Sequence, residues 1–87
     1  MIALHIETSQ PQQAQAIAKI LLDEHLIDGV NMYNNVPAMR LIHGIIEQIN
    51  ETVIVATTQQ KFYTSIEKRL RDFCAGQPMP VMYTTLA

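Results

Sequence analysis

The chain has 87 residues, of which 48% are hydrophobic and 16% are charged, and it contains a single cysteine, Cys74. One domain of this length buries only somewhat more than about 60% of its unfolded surface, so self-association is the expected source of further burial. A formal charge of −2 with only six lysines and arginines argues against a nucleic-acid partner, and one cysteine excludes an internal disulfide.

The first residues predict a soluble, cytoplasmic protein. The start "MIALHIET" has no basic segment before its apolar residues and is too short for a signal core. No apolar run elsewhere approaches the length of a membrane span, so we expect no membrane association.

The first two predicted elements are a strand and a helix. Apolar and polar residues alternate over residues 2–7, which is the period of a strand with one buried face. Ser9 is a candidate helix cap, and Pro11 suits an early helical position that needs no donor. Apolar residues then recur at helical spacing, which predicts a helix that ends at about Leu26.

The middle of the chain predicts two strands joined as a hairpin. The first begins near Val30 and continues to Glu47, with Pro37 marking either a bulge or a sheet edge. The polar stretch "YNNVP", residues 33–37, is interpreted as a bulge or bend in this strand, with a ligand-facing or partner-facing loop as the alternative. Gly44 then falls inside the strand, and "INET", residues 49–52, is the predicted turn. The β-branched run over residues 52–58 predicts an inner strand that is covered on both faces.

The last predicted elements are a second helix and a short strand. Thr58 is a candidate cap for a helix with one apolar face, which carries Phe62, Ile66, Leu70 and Phe73. "CAGQPMP" ends that helix, and "VMYTTL" is the final strand. The order β-α-β-β-α-β predicts one α+β domain over residues 1–87, with a ferredoxin-like four-stranded antiparallel sheet and two helices on one face.

The sequence lacks the residues that several known activities of this fold require. A phosphate-binding hydrolase needs an arginine near the first strand-to-helix loop, whereas the arginines are Arg40, Arg69 and Arg71. A reader of single-stranded RNA needs aromatic residues on its central strands, and a copper chaperone needs a Cys-x-x-Cys pair. No spacing forces two carboxylates together for acid/base chemistry, so we expect a protein that is not an enzyme.

Four stretches together resemble the CutA family: "AQAIAKILLDEHLIDGVNM", "LIHGIIEQINETVIVATT", "KFYTSIEKRLRDF" and "MPVM". The family consists of small proteins named for divalent-cation tolerance, which form tight trimers related in shape to PII signalling proteins. The residues that match family positions are Val30, Asn31, Gly44, Ile46, Glu51 and Pro80. The resemblance implies that Gly44 allows a bulge or a close backbone approach where a long hairpin meets the neighbouring subunit.

Other positions depart from the family. Gly29 stands at the position of the usual cysteine, Ile42 at that of a tryptophan, and Thr57 at that of a lysine. The usual His-Pro-Tyr stretch after the second helix is replaced by "CAGQP". These are the residues that would line a polar or metal-binding cleft. The resemblance therefore implies a divergent member of the family.

The candidate metal ligands are scattered along the sequence. Imidazole and thiolate suit copper and zinc, which makes His5, His25, His43 and Cys74 the candidates. These four residues are far apart in sequence, so they show no spacing that is typical of a metal site. The five methionines are better suited to filling gaps in the core and interface than to binding copper. We expect no certain cofactor and at most weak binding of copper or another divalent cation.

The hairpin is the predicted interface of a homotrimer, because its first strand carries apolar residues on both faces. The predicted interface residues are Val30, Asn31, Leu41, Ile42, Gly44, Ile45 and Ile46. The expected function is a non-enzymatic trimer implicated in divalent-cation tolerance. The alternative is a PII-like sensor or adaptor, which binds a small metabolite between subunits and docks on a partner protein.

Overall fold

The computed structural model of the protein describes residues 1–86. Four strands form one antiparallel sheet in the order β2-β3-β1-β4, and two helices pack on one of its faces. This confirms the predicted order of elements and fold class. The elements are β1 (Ile2–Thr8), α1 (Pro11–Asp23), β2 (Gly29–Ile42), β3 (Ile45–Thr58), α2 (Tyr63–Phe73) and β4 (Val81–Leu86), with a 3₁₀ turn, Gln60–Phe62, before α2.

The core lies between the helices and the alternate residues of β1 and β3. Leu4 and Ile6 on β1 are fully buried, as is Ile54 on β3, and they pack with Ile17 of α1 and Ile66 of α2. Each such side chain contributes roughly 1.5–3 kcal/mol on burial. In the described chain β3 is an inner strand, as predicted, but its opposite face is only half-buried, so the predicted coverage of both faces is wrong for a single subunit.

The turn of the hairpin lies at His43 and Gly44, which have φ angles of 51° and 79°. Positive φ at both central residues is typical of a type I′ turn, whose twist matches the twist of the flanking strands. The prediction of a turn at residues 49–52 is therefore wrong, because this segment lies inside β3. The interpretation of Gly44 as a strand bulge is also wrong, because Gly44 is a turn residue. Beyond its chain neighbours, no atom of residues 1–86 lies within 4 Å of a Cβ built there, and a close approach to a neighbouring subunit stays a prediction.

The bulge of β2 lies earlier, between Tyr33 and Val36. Asn35 has a φ of 55°, and the Asn34 side-chain oxygen accepts a hydrogen bond from the Thr52 hydroxyl at 3.3 Å. The interpretation of "YNNVP" as a bulge is confirmed. Pro37 follows on an edge strand, where a residue without an N–H group is tolerated.

Both predicted helix caps are wrong. The residue before α1 is Gln10, which makes no side-chain capping bond, and its N–H donates instead to the Thr8 hydroxyl at 3.2 Å. Ser9 therefore does not cap the helix. Thr58 lies before the 3₁₀ turn and donates to the carbonyl of Leu26 at 2.6 Å, so it fastens the end of β3 to the loop after α1.

Candidate functional site

The distal half of the hairpin, residues 37–50, projects beyond the rest of the sheet, and we call it the arm. Along β3, strand β1 reaches only residues 52–58, so the two strands of the arm pair only with each other in the described chain. Large apolar side chains on the arm are strongly exposed: Leu41 is 72% exposed, Ile46 71% and Ile45 64%. Such a concentration of exposed apolar residues marks a surface that binds another molecule.

Apolar side chains lie on both faces of the arm. Leu41 faces Ile46 across the strands, and one residue along, Ile42 faces Ile45 on the opposite side. No helix within residues 1–86 covers either face. The predicted interface residues Leu41, Ile42, Ile45 and Ile46 are thus brought together, and Gly44 lies between them in the turn.

The two other predicted interface residues lie on the body of the sheet. Val30 is half-buried and packs against the core, whereas Asn31 is exposed on the face opposite the helices. We call this face the outer face. It also carries His5 and Glu7 from β1, and its valines, Val53 and Val55, are only half-buried.

A cluster of charged groups lies where the arm meets the outer face. Nη2 of Arg40 is 2.5 Å from Oε1 of Glu51 and 3.2 Å from Oε1 of Glu7. Glu51 is only 8% exposed, and Arg40 supplies the positive charge that its burial requires. The phenol of Tyr83 donates to the second oxygen of Glu7 at 3.0 Å. We call these four residues the Arg40 cluster.

Tyr83 joins the Arg40 cluster to a histidine. Its ring stacks on His5 with centroids 4.8 Å apart and planes 2° from parallel, and Nε2 of His5 lies 3.3 Å from the Thr85 hydroxyl. The hydrogen bond to Glu7 raises the pKa of Tyr83, and partial burial and the charge of Glu7 add to this effect. The phenol therefore remains protonated and keeps its role as a donor.

The structure does not bring the four candidate metal ligands together. His5 lies on the outer face, His25 follows the end of α1, and His43 is at the tip of the arm. Cys74 is buried directly after α2. Within residues 1–86 there is no group of three or more His, Cys, Asp or Glu side chains that could hold a metal ion.

Cys74 belongs to a buried polar contact instead. Nε2 of Gln13 lies 3.6 Å from its sulfur and 3.2 Å from the carbonyl oxygen of Pro78, and the Thr8 hydroxyl donates to Oε1 of Gln13. Burial raises the pKa of the Cys74 thiol, and the bond from Gln13 lowers it by less. A thiol that stays protonated is a poor nucleophile and a poor metal ligand.

Sequence reasoning did not identify the Arg40 cluster. The sequence contains one clue to this cluster, because Arg40 is the only Lys or Arg between Lys19 and Lys61. A lone arginine on a strand suggests an acidic partner nearby. The position of Glu7 beside it depends on two registers, that of the hairpin and that of β1 beside β3.

The class of protein follows from this architecture: a ferredoxin-like α+β domain whose central hairpin projects as an arm. Solved structures with the same fold include CutA from Pyrococcus horikoshii in 3 M guanidine hydrochloride, 21% identical with a TM-score of 0.85 over 100% of this chain and 84% of that one. The divalent cation tolerance protein of Thermus thermophilus is 18% identical with a TM-score of 0.87, covering 99% and 82%. The PII-like protein CutA from Nostoc sp. PCC 7120 in apo form is 17% identical with a TM-score of 0.84, covering 100% and 81%.

The family itself is shown by sequence. The family described as CutA1 divalent ion tolerance protein matches residues 2–83, so the chain belongs to this family. No curated protein matches the sequence. None of the helices in the described part of the chain is long and apolar enough to cross a membrane.

Proposed function

We propose that this protein is a non-enzymatic homotrimer that acts in divalent-cation tolerance and binds metal ions at most weakly. The observation that carries the proposal is the arm, which exposes apolar residues on both faces and has no partner within the described chain. Family membership supports the role in cation tolerance. The scatter of His5, His25, His43 and Cys74 supports weak rather than specific metal binding.

The energetics of the arm favour association. Burying a large aliphatic side chain contributes roughly 1.5–3 kcal/mol, so three or four of them in each subunit offset much of the cost of association. Strand β2 also leaves one edge unpaired in the described chain, and such edges invite pairing with another chain. In a closed ring each arm docks on the next subunit, so this edge is covered without open-ended growth.

Substitutions on the arm test the trimer. We expect the wild-type chain to have three times the subunit mass in light scattering, and Ile45→Asp or Ile46→Asp to split or unfold the assembly, because a carboxylate cannot be buried there without a partner. Leu22→Asp is the matched control, since Leu22 is 38% exposed on α1 and far from the arm in the fold. A folded wild-type monomer, or intact trimers of both arm variants, contradicts the proposal.

The second candidate is a PII-like sensor or adaptor, which binds a small metabolite at the subunit interface. Two observations favour it: the Arg40 cluster presents charged groups at the base of the arm, and a groove of about 420 Å³ runs along the arm, lined by Pro37, Met39 and Ile49 among others. Ligand sites are concave, with a few polar groups that fix orientation.

A ligand screen separates the two candidates. A molecule that binds only the native state raises the melting temperature by mass action. We expect copper and zinc to give small shifts, and calorimetry to show no sub-micromolar site with whole-number stoichiometry. A nucleotide or amino acid that gives a large shift in melting temperature favours the sensor.

A cytoplasmic location is also part of the proposed function, and cell fractionation tests it.

A further inference from the structure

The arm is connected to the body of the sheet through an irregular segment. The extra residue in β2 between Tyr33 and Val36 interrupts the ladder immediately before the arm begins. A bulge bends its strand and increases the local twist. The direction of the arm therefore depends on contacts beyond the bulge as well as on the backbone itself.

Arg40 makes such a contact. In the register Arg40 stands opposite Glu47, yet its guanidinium lies against Glu51, farther along β3 toward the body, and against Glu7 of β1. The side chain thus extends back from the arm along the hairpin. Because Glu7 belongs to the central sheet and not to the arm, this ion pair joins the two parts directly.

The surroundings of Arg40 favour one orientation of its side chain. Its Nη1 donates to the carbonyl oxygen of Met39 at 3.1 Å, while Nη2 is shared by the two carboxylates. Glu7 is held from its other side by the Tyr83 phenol, and Glu51 is almost entirely buried. Charge-assisted bonds among partly buried groups are stronger than ion pairs in open solvent.

From this geometry we infer that Arg40 is a positioning residue, which fixes the direction of the arm through Glu7 and Glu51 so that the arm is ready to dock on the next subunit. The inference rests on the proposed function, because it concerns the assembly that the arm builds. An arm that is already oriented loses less conformational freedom when it docks. Removal of the ion pair therefore weakens association more than it weakens the fold of each subunit.

The test compares two arginine variants by analytical ultracentrifugation over a dilution series. Arg40→Met keeps most of the side-chain length but removes the charge, and we expect subunit association to weaken by roughly tenfold, the order of a lost charge-assisted bond. Arg71→Met is the matched control, since Arg71 pairs with Glu67 at 3.2 Å on α2, outside the arm. We expect it to leave association unchanged, and circular dichroism to show the native fold in both variants.

A double variant separates positioning from direct contact with the neighbour. Glu7→Gln removes the negative charge on the body, and if Arg40 acts through Glu7, then Arg40→Met with Glu7→Gln associates no more weakly than Arg40→Met alone. Additive losses in the double variant overturn the inference, as does unchanged association of Arg40→Met in a wild-type trimer. A monomeric wild-type chain overturns the proposed trimer itself, so the two failures are distinguishable.

Discussion

His25 adopts a backbone conformation that glycine usually occupies. Its φ is 57°, and its N–H donates to the carbonyl of Leu22 at 3.0 Å while the next N–H, of Leu26, donates to Leu21 at 2.9 Å. These two bonds define a Schellman motif, which ends α1 at Asp23 instead of at Leu26 as predicted. A histidine here carries the steric cost of the left-handed region.

Replacing this histidine by glycine tests that cost. We expect His25→Gly to raise the free energy of unfolding by roughly 0.5–1 kcal/mol, because glycine adopts positive φ without a Cβ clash. Urea denaturation measures the change. His25→Ala keeps the clash and is the control; an equal gain in both variants would show that the imidazole, not the backbone, was responsible.

The two turn residues set the register of the whole hairpin, in which each strand has 14 residues. With the turn at His43 and Gly44, Ile42 faces Ile45 and Leu41 faces Ile46. A turn at residues 49–52 would have paired different residues and moved Arg40 away from Glu51. The register of the turn therefore determines which charges meet at the base of the arm.

Glycine substitutions test the turn. We expect Gly44→Ala to destabilise the protein by about 1 kcal/mol, because its φ of 79° is costly for any residue with a Cβ although the space is open. Gly29→Ala is the control, since Gly29 also has open space but no positive φ. Chemical denaturation of both variants gives the comparison; equal effects would argue against strain as the cause.

Hydrophobic periodicity predicted the elements well, and short-range chemistry predicted their ends poorly. Alternation in residues 2–7 and the apolar run of 52–58 identified β1 and the inner strand β3, because burial of one sheet face imposes a period of two. The turn was missed because His-Gly is a weaker signal than Asn-Gly, and residues 49–52 contain an asparagine. The predicted caps were wrong because Gln10, and not Ser9, directly precedes α1, and because Thr58 donates to the carbonyl of Leu26 instead of to the start of a helix.

At the scale of the whole molecule, the sequence predicted the apolar surface of the candidate site but not its charges. Leu41, Ile45 and Ile46 follow each other closely, so their concentration is visible before folding. Glu7 lies 33 residues from Arg40, and only the antiparallel placement of β1 beside β3 brings them together. Contacts of that kind depend on the register of two strand pairs at once.

The proposed assembly through the arm implies that stability depends on protein concentration. If the folded subunit is stabilised by its neighbours, the melting temperature rises as the chain is concentrated. We expect this rise in differential scanning calorimetry of the wild type and its loss in Ile46→Asp. A wild-type melting temperature that stays constant over roughly a hundredfold range of concentration would contradict a trimer whose subunits stabilise each other.

The two-residue turn also has a consequence for the order of folding. Strands β2 and β3 are joined by a minimal loop, so their pairing requires little loop-closure entropy and is accessible on the microsecond timescale of hairpins. The pairing of β1 with β4 brings His5 beside Tyr83 from opposite ends of the chain, and such non-local contacts form slowly. We therefore expect the hairpin to form early, with its apolar arm exposed until the rest of the domain has folded.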